Sequence, residues 1–234
     1  RMGLGPLIRW QLHTLRQWDQ LSSSRVDYLV ANSNFTARRI KKYWRRHSEV
    51  LHPPVNVDRF KWNKPREDFY LSVCRLVPNK RVDLVVRAFN KLKLPLVVVG
   101  DGVEKAYLKE IAGPTVQILG FQNQDKIEKL MSKCRAFVYA GVEDFGIAPV
   151  EAMASGAPVI AFGKGGVLDT VKCINSNSNN VATGLLFPAQ TVKSLIEAVE
   201  FFKEKQLWRN LNPELIRDWS LSLIHISEPT RLRR

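Results

Sequence analysis

The stretch AFVYAGVEDFGIAPVEAMASGAPVIA, residues 136–161, changes pattern three times within a short span. It opens on an unbroken apolar run, Ala136 to Tyr139, with the length and bulk of a buried strand. A loop follows that carries Glu143, Asp144 and Gly146. Ala148 to Ser155 reads as a helix of small and apolar residues, and Pro158 to Ala161 as a second buried strand. Parallel neighbours need a crossover between them, usually a helix, so strand, helix and strand in this order predict one unit of a parallel sheet.

Working outward, the same alternation covers most of the chain. Upstream, Phe69 to Val73 reads as a strand. Arg81 to Leu92 places Val82, Val85, Val86 and Phe89 at helical spacing. Leu96 to Val99 is a buried strand ending in Gly100-Asp101-Gly102, followed by a helix over about 103–111, a strand at Val116 to Leu119 and a helix over about 124–132. Downstream, Gly184 to Phe187 is a short strand and Thr191 to Lys203 a helix. Nearer the start, Val26 to Ala31 is a short apolar run, and Asn32-Ser33-Asn34 suits a helix cap. The helix it opens runs through about Trp44, and a short strand lies near Val50 and Leu51. His52-Pro53-Pro54 then breaks regular structure. The expected fold is α/β with a doubly wound parallel sheet, which binds ligands beyond the carboxyl ends of its strands.

Composition sets outer limits. The chain has 234 residues, 45% hydrophobic and 25% charged, so it can bury a core and is not a disordered polymer. No apolar run approaches the roughly 20 residues of a transmembrane helix. Cys74, Cys134 and Cys173 are far apart and show no metal spacing, which fits isolated thiols in a reducing compartment. The net charge of +14 is uneven: residues 1–62 hold 12 Lys/Arg against 4 Asp/Glu, while 63–220 hold 21 against 17. Much of the excess lies in Arg38, Arg39, Lys41, Lys42, Arg45 and Arg46. Such a stretch suits an anionic membrane surface or a solvated helix face equally. Nucleic acid is not an expected partner, because no recognised motif accompanies the charge.

Four clusters sit just past predicted strand ends. Arg75-Leu-Val-Pro-Asn-Lys80 places two cations at the start of a helix, an arrangement that suits a diphosphate, although two basic residues in a loop are ordinarily just solvated. Gly100-Asp101-Gly102 serves either ligand approach or a tight turn. Glu143 and Glu151 flank Phe145, Gly146 and Ile147, whose amides can face a sugar or phosphate at a helix start. Phe162-Gly-Lys-Gly-Gly166 is a flexible loop opening a further helix, open to phosphate contact or to no ligand at all. His13 and His47 are taken as surface or packing residues.

Taken together, these motifs resemble glycosyltransferase family 4, whose GT-B fold faces two Rossmann-like domains across a cleft. The resemblance covers about Val26 to Ser220 and is sharpest at Glu143 to Ala161. It extends through FYLSVCRLVPNKRVDLVVRAF at 69–89, the segment 26–60 and TGLLFP at 183–188. It implies that Arg75 and Lys80 neutralise the donor's diphosphate as it leaves and that Glu143 contacts the transferred sugar. It also implies that Glu151 holds the ribose hydroxyls, with Gly100 and backbone around Phe145, Gly146 and Ile147 completing the donor site. Arg75, Lys80 and Glu143 would be the catalytic residues, with retained anomeric configuration, no metal and no cofactor. Where the family often carries a glutamate in the helix after the glycine loop, this chain has Asp169, and Cys173 to Asn180 is polar and loop-like.

The resemblance divides the chain into 1–52, the tail of an N-terminal, acceptor-side domain; 53–65, a linker; and 66–220, a C-terminal donor-binding domain. The string from Leu221 to Arg231 resembles the translation of a sequencing-library adapter, so 221–234 is read as foreign sequence. On this reading most of the acceptor domain is absent, and turnover by this chain alone is not expected. The expected substrates are a nucleotide diphosphate sugar and a glycan or lipid-linked acceptor, handled at the cytoplasmic face of a membrane. Similarity before the linker to bacterial mannosyltransferases of surface polysaccharide synthesis favours GDP-mannose. UDP-sugars come next, and a non-catalytic nucleotide-sugar-binding module is a further alternative.

Overall fold

A computed structural model describes residues 5–174 and 181–225; 1–4, 175–180 and 226–234 lie outside the described residues. Most of the polar Cys173–Asn180 stretch, and 226–234 of the predicted foreign tail, therefore fall outside the description. The chain divides into two compact units, Arg1–Leu51 and His52–Arg234.

The smaller unit holds α1 (Gly5–Ser23), β1 (Val30–Ala31), α2 (Asn34–Trp44) and β2 (Glu49–Val50). The two strands pair in parallel. The predicted cap is present: Ser33 Oγ accepts the amide of Thr36 at 3.1 Å. The apolar run from Val26 is strand only at its last two residues, since β2 offers just two partners, and Tyr28 is exposed. Arg46 does not join the solvated cations of its stretch. Its guanidinium donates to the carbonyls of Ser23, Val26 and Asp27 and pins the segment between α1 and β1. Arg38, Arg39, Lys41, Lys42 and Arg45 are exposed.

The larger unit runs β3 (Tyr70–Val73), a 3₁₀ turn at Pro78–Lys80, α3 (Val82–Leu92), β4 (Leu96–Val99), α4 (Lys105–Ile111), β5 (Val116–Gly120), α5 (Gln124–Lys133), β6 (Ala136–Tyr139), α6 (Ile147–Ala154), β7 (Val159–Phe162), α7 (Val167–Thr170), β8 (Gly184–Phe187), α8 (Val192–Glu204), α9 (Leu207–Asn210) and α10 (Pro213–His225). All six strands are parallel, in the order β5-β4-β3-β6-β7-β8. The doubly wound sheet expected from the sequence is therefore present.

Alternation along each strand explains the two layers. Tyr70, Ala136, Val138, Ile160 and Phe187 point into a core formed with α3 and α8, while Leu71, Phe137, Val159 and Ala161 point into a second core formed with α6 and α10. Both faces of the sheet are covered, so its strands are mostly apolar, with Ser72 in β3 and Gln117 in β5 as the polar exceptions. Two half-buried arginines tie elements together through backbone carbonyls. Arg66 donates to Met131 and Ser132 in the last turn of α5 and to Ser155 after α6. Arg217 on α10 donates to Val57, Phe60 and Ala154, holding the 52–65 segment against α6. Helix α10 continues without a break across residue 220, and Leu223 is buried in the second core.

Candidate functional site

The strand order fixes where a ligand can enter. From β3 the chain winds outward to β4 and β5, then returns to place β6 against the other edge of β3 and continues to β7 and β8. Winding reverses between β3 and β6, and a doubly wound sheet leaves its crevice beyond the carboxyl ends of the strands at such a point. Arg75 and Lys80 follow β3, and Glu143 follows β6, so the topology brings to one place residues that are far apart in sequence.

Lys80 and Glu143 are in direct ionic contact, Nζ to Oε1. Tyr139, the last residue of β6, donates its hydroxyl proton to the same Oε1 at 2.5 Å. Burial lowers the Lys80 ammonium from the ordinary lysine value. The neighbouring Cys74 opposes that shift. Burial also pushes the Tyr139 phenol well above its ordinary range, so it stays a proton donor, and lifts the neighbouring Cys74 thiol to about 11, against the pull of Lys80. Arg75 is exposed and, among the described residues, has no ionic or hydrogen-bond partner. A cation left unpaired beside a crevice is available to an incoming anion.

Glu151 does not join this group. It lies within α6, where its Oε1 accepts from Arg59 Nη2 at 2.5 Å. Arg59 Nε stands 3.6 Å from Glu128 of α5, and the guanidinium lies 4.7 Å over the Phe60 ring. Burial raises the Glu151 carboxyl above the ordinary glutamate value, while Arg59 draws it back. Beside this pair is a cavity of about 250 Å³ lined by Arg59, Lys61, Asp125, Glu128, Lys129 and Ser132. The two glutamates of the motif thus occupy separate charge clusters, one built with the loop after β3 and the other with the 52–65 segment.

Between them, Gly146 caps α6 with φ at 91°, a conformation side chains disfavour. Phe145 is buried, its ring 5.1 Å from that of His52, whereas Ile147 is 48% exposed at the first turn of α6. The glycines after β4 and β7 lie close against neighbouring backbone. A Cβ on Gly100 would lie 1.8 Å from the Cys74 carbonyl oxygen, so that glycine seats the loop after β4 against the loop after β3. A Cβ on Gly166 would lie 2.2 Å from the Asp144 carbonyl oxygen, and the Gly166 amide donates to Glu143 O at 2.8 Å. The glycine loop after β7 is therefore a buttress for the Glu143 loop. Gln190, after β8, adds a third brace by donating to the Ala140 carbonyl at 2.8 Å.

Sequence reading found Arg75, Lys80, Glu143 and Glu151 but not Arg59, Tyr139 or Gln190. Tyr139 carries only a strand signal, and Arg59 lies in a stretch with no strong periodicity. Asp169 sits half-buried in α7. Among the described residues, no three His, Cys, Asp or Glu side chains converge in a set that could hold a metal ion. No described helix is long and apolar enough to cross a membrane.

Fold and site together define a Rossmann-like domain with basic residues at its switch point, the C-terminal half of a GT-B architecture. Residues 55–218 match the model of the glycosyl transferases group 1 family, and the chain belongs to that family. Among curated relatives, it is 27% identical over 228 residues to an alpha-1,3/1,6-mannosyltransferase, ALG2, of Rhizomucor pusillus, covering 73% of this chain and 49% of the relative. It is 33% identical over 131 residues to a GDP-mannose-dependent alpha-mannosyltransferase of Mycobacterium tuberculosis, covering 56% and 32%. The chain spans about half the length, or less, of these relatives. Among solved structures, it superimposes with a TM-score of 0.75 on Anabaena Alr3699/HepE in complex with UDP and glucose, at 20% identity over 92% of this chain and 64% of the other. The sucrose-phosphate synthase of Thermosynechococcus elongatus gives 0.77 at 21% identity, over 92% and 59%. At these identities the two structures speak for the fold.

Proposed function

We propose that the protein is a retaining hexosyltransferase that takes mannose from GDP-mannose and passes it to a glycan or lipid-linked saccharide. The observation that carries this reading is the placement of Arg75, Lys80 and Glu143 at the β3/β6 switch point, within a family member whose curated relatives include mannosyltransferases. Arg75 and Lys80 stabilise the negative charge that develops on the leaving diphosphate, where fixed cations are most effective. Glu143, the ionic partner of Lys80 in the free protein, faces the oxocarbenium character that builds on the sugar. Glu151 holds the ribose, Gly146 and the exposed first turn of α6 contact the sugar, and no metal or cofactor takes part.

A UDP-sugar donor is the second reading, favoured by the fold shared with the UDP complex of Alr3699/HepE. The acceptor belongs to surface polysaccharide synthesis. The five exposed cations of 38–45 give the protein a peripheral hold on an anionic membrane at its cytoplasmic face.

Calorimetric titration with GDP, UDP and ADP tests the donor site. One nucleotide should bind, and both Arg75→Ala and Glu151→Ala should weaken it. A folded protein that binds none of the three counts against the reading.

A further inference from the structure

Both partners of Glu143 grip the same atom. Tyr139 Oη donates to Oε1 at 2.5 Å, and Lys80 Nζ also contacts Oε1. Among the described residues nothing pairs with Oε2, which is not a buried atom, and the side chain keeps 28% of its surface exposed. The carboxylate is therefore held by one oxygen and leaves the other unpaired and accessible. The two grips differ in kind. Lys80 hangs from the loop after β3 on a flexible stem and, on the proposed function, has a diphosphate to serve. Tyr139 is 4% exposed at the end of a central strand, its ring stacked at 14° on Phe137. The site has also made room for the hydroxyl: a Cβ on Gly141 would lie 3.0 Å from Tyr139 Oη and 3.1 Å from Lys80 Cα.

We propose that Tyr139 is a positioning residue for sugar recognition: its hydroxyl keeps Glu143 aimed, Oε2 outward, once the donor's diphosphate has drawn Lys80 away. This rests on the proposed donor site. Without the hydroxyl, the carboxylate is fixed only by Lys80, and a bound diphosphate removes that restraint at the moment the sugar arrives. The free nucleotide lacks the sugar and does not consult Glu143. Tyr139 therefore contributes to the sugar increment of binding, not to the nucleotide's own affinity.

The test is calorimetry on the whole chain with GDP and GDP-mannose, and with UDP and UDP-glucose, comparing the parent with Tyr139→Phe. The substitution keeps the ring packing and leaves Lys80 on Glu143, so the melting temperature should stay close to that of the parent. Affinity for the nucleotide sugar should fall about fivefold, the worth of one hydrogen bond, while affinity for the free nucleotide stays within twofold. Gly141→Ala, which crowds both grips, should weaken the nucleotide and the nucleotide sugar together. An equal loss of both ligands in Tyr139→Phe assigns the residue a structural role and overturns the inference, as does no loss at all. A parent that binds nucleotide while the variant behaves identically refutes Tyr139 alone. A parent that binds no nucleotide refutes the donor site and this inference with it.

Discussion

Arg59 and Glu151 meet at 2.5 Å although 92 positions separate them in sequence. The pair joins the 52–65 segment to the middle of α6, and Glu128 stands on its other side. Both partners are partly exposed, so the pair is worth about 1–2 kcal/mol rather than the larger cost of breaking a fully buried one.

A pH dependence follows from that pair. Burial raises the Glu151 carboxyl above its value in the unfolded chain, and Arg59 opposes the rise. The folded state then holds its proton more tightly, so this group's contribution to stability is greatest at low pH. It declines as pH climbs through the unfolded and then the raised folded value. Arg59→Met removes the opposing charge and steepens the decline. Melting curves at pH 4.5 and 7.5 should show a larger loss at the higher pH. An equal loss at both would mean that Arg59 acts through packing on Phe60 instead.

Gly166 is the least replaceable residue of the loop after β7. An alanine there would drive Cβ to 2.2 Å from Asp144 O and 2.4 Å from Phe145 Cα. Both are backbone atoms and cannot swing aside. Gly166→Ala should cost about 1–3 kcal/mol and weaken nucleotide-sugar binding by shifting the Glu143 loop. Unchanged urea midpoint and unchanged binding would show that the two loops separate freely.

Arg75 and Lys80 should separate binding from folding. Arg75 is exposed and unpaired among the described residues, so Arg75→Ala should leave the melting temperature within a degree or two while nucleotide affinity falls about tenfold or more. Lys80→Ala should lose affinity and some stability too, because it strips Glu143 of its ionic partner. If Arg75→Ala lowers stability but not affinity, its assignment to the diphosphate is wrong.

Arg217 donates to three carbonyls, two on the 52–65 segment and one at the end of α6. Arg217→Met keeps most of the packing but leaves those carbonyls short of a donor, at a cost of about 2–3 kcal/mol. The urea midpoint should fall accordingly, and limited proteolysis should cut first within 52–65. Protection of that segment in the variant would refute the account.

The core of the sheet is readable in sequence because a parallel strand covered on both faces is built mostly from apolar residues, which show as short unbroken runs. Leu96–Val99, Ala136–Tyr139 and Gly184–Phe187 begin and end where their apolar runs do. Helix α1 was not readable, since Leu7, Ile8, Trp10, Leu12, Leu15, Trp18 and Leu21 are all exposed and spread too widely around the helix to mark one face. Helix α10 was obscured because its last turn coincides with a stretch read as foreign. Within the site, motif spacing located Lys80 and Glu143 but not their partners. Tyr139 reads as one more aromatic in a strand, and only the fold shows that its hydroxyl clears Gly141 to reach Glu143. The sequence leaves the glycine loops open between ligand contact and plain turn, because glycine admits close approach of either kind. Which surface approaches, phosphate or neighbouring backbone, depends on the third dimension.

The seating of the loops by main chain on main chain carries a consequence for variation. Gly100 rests on Cys74, and Gly166 on Asp144, through atoms that every amino acid possesses. The shape of the crevice is therefore written largely in backbone, while the side chains that project from it are free of scaffolding duty. Ile147 and Lys164, both exposed, can be exchanged without redrawing the rim that presents them. A library that randomises those positions and spares the glycines would sample new sugar preferences on an unchanged frame.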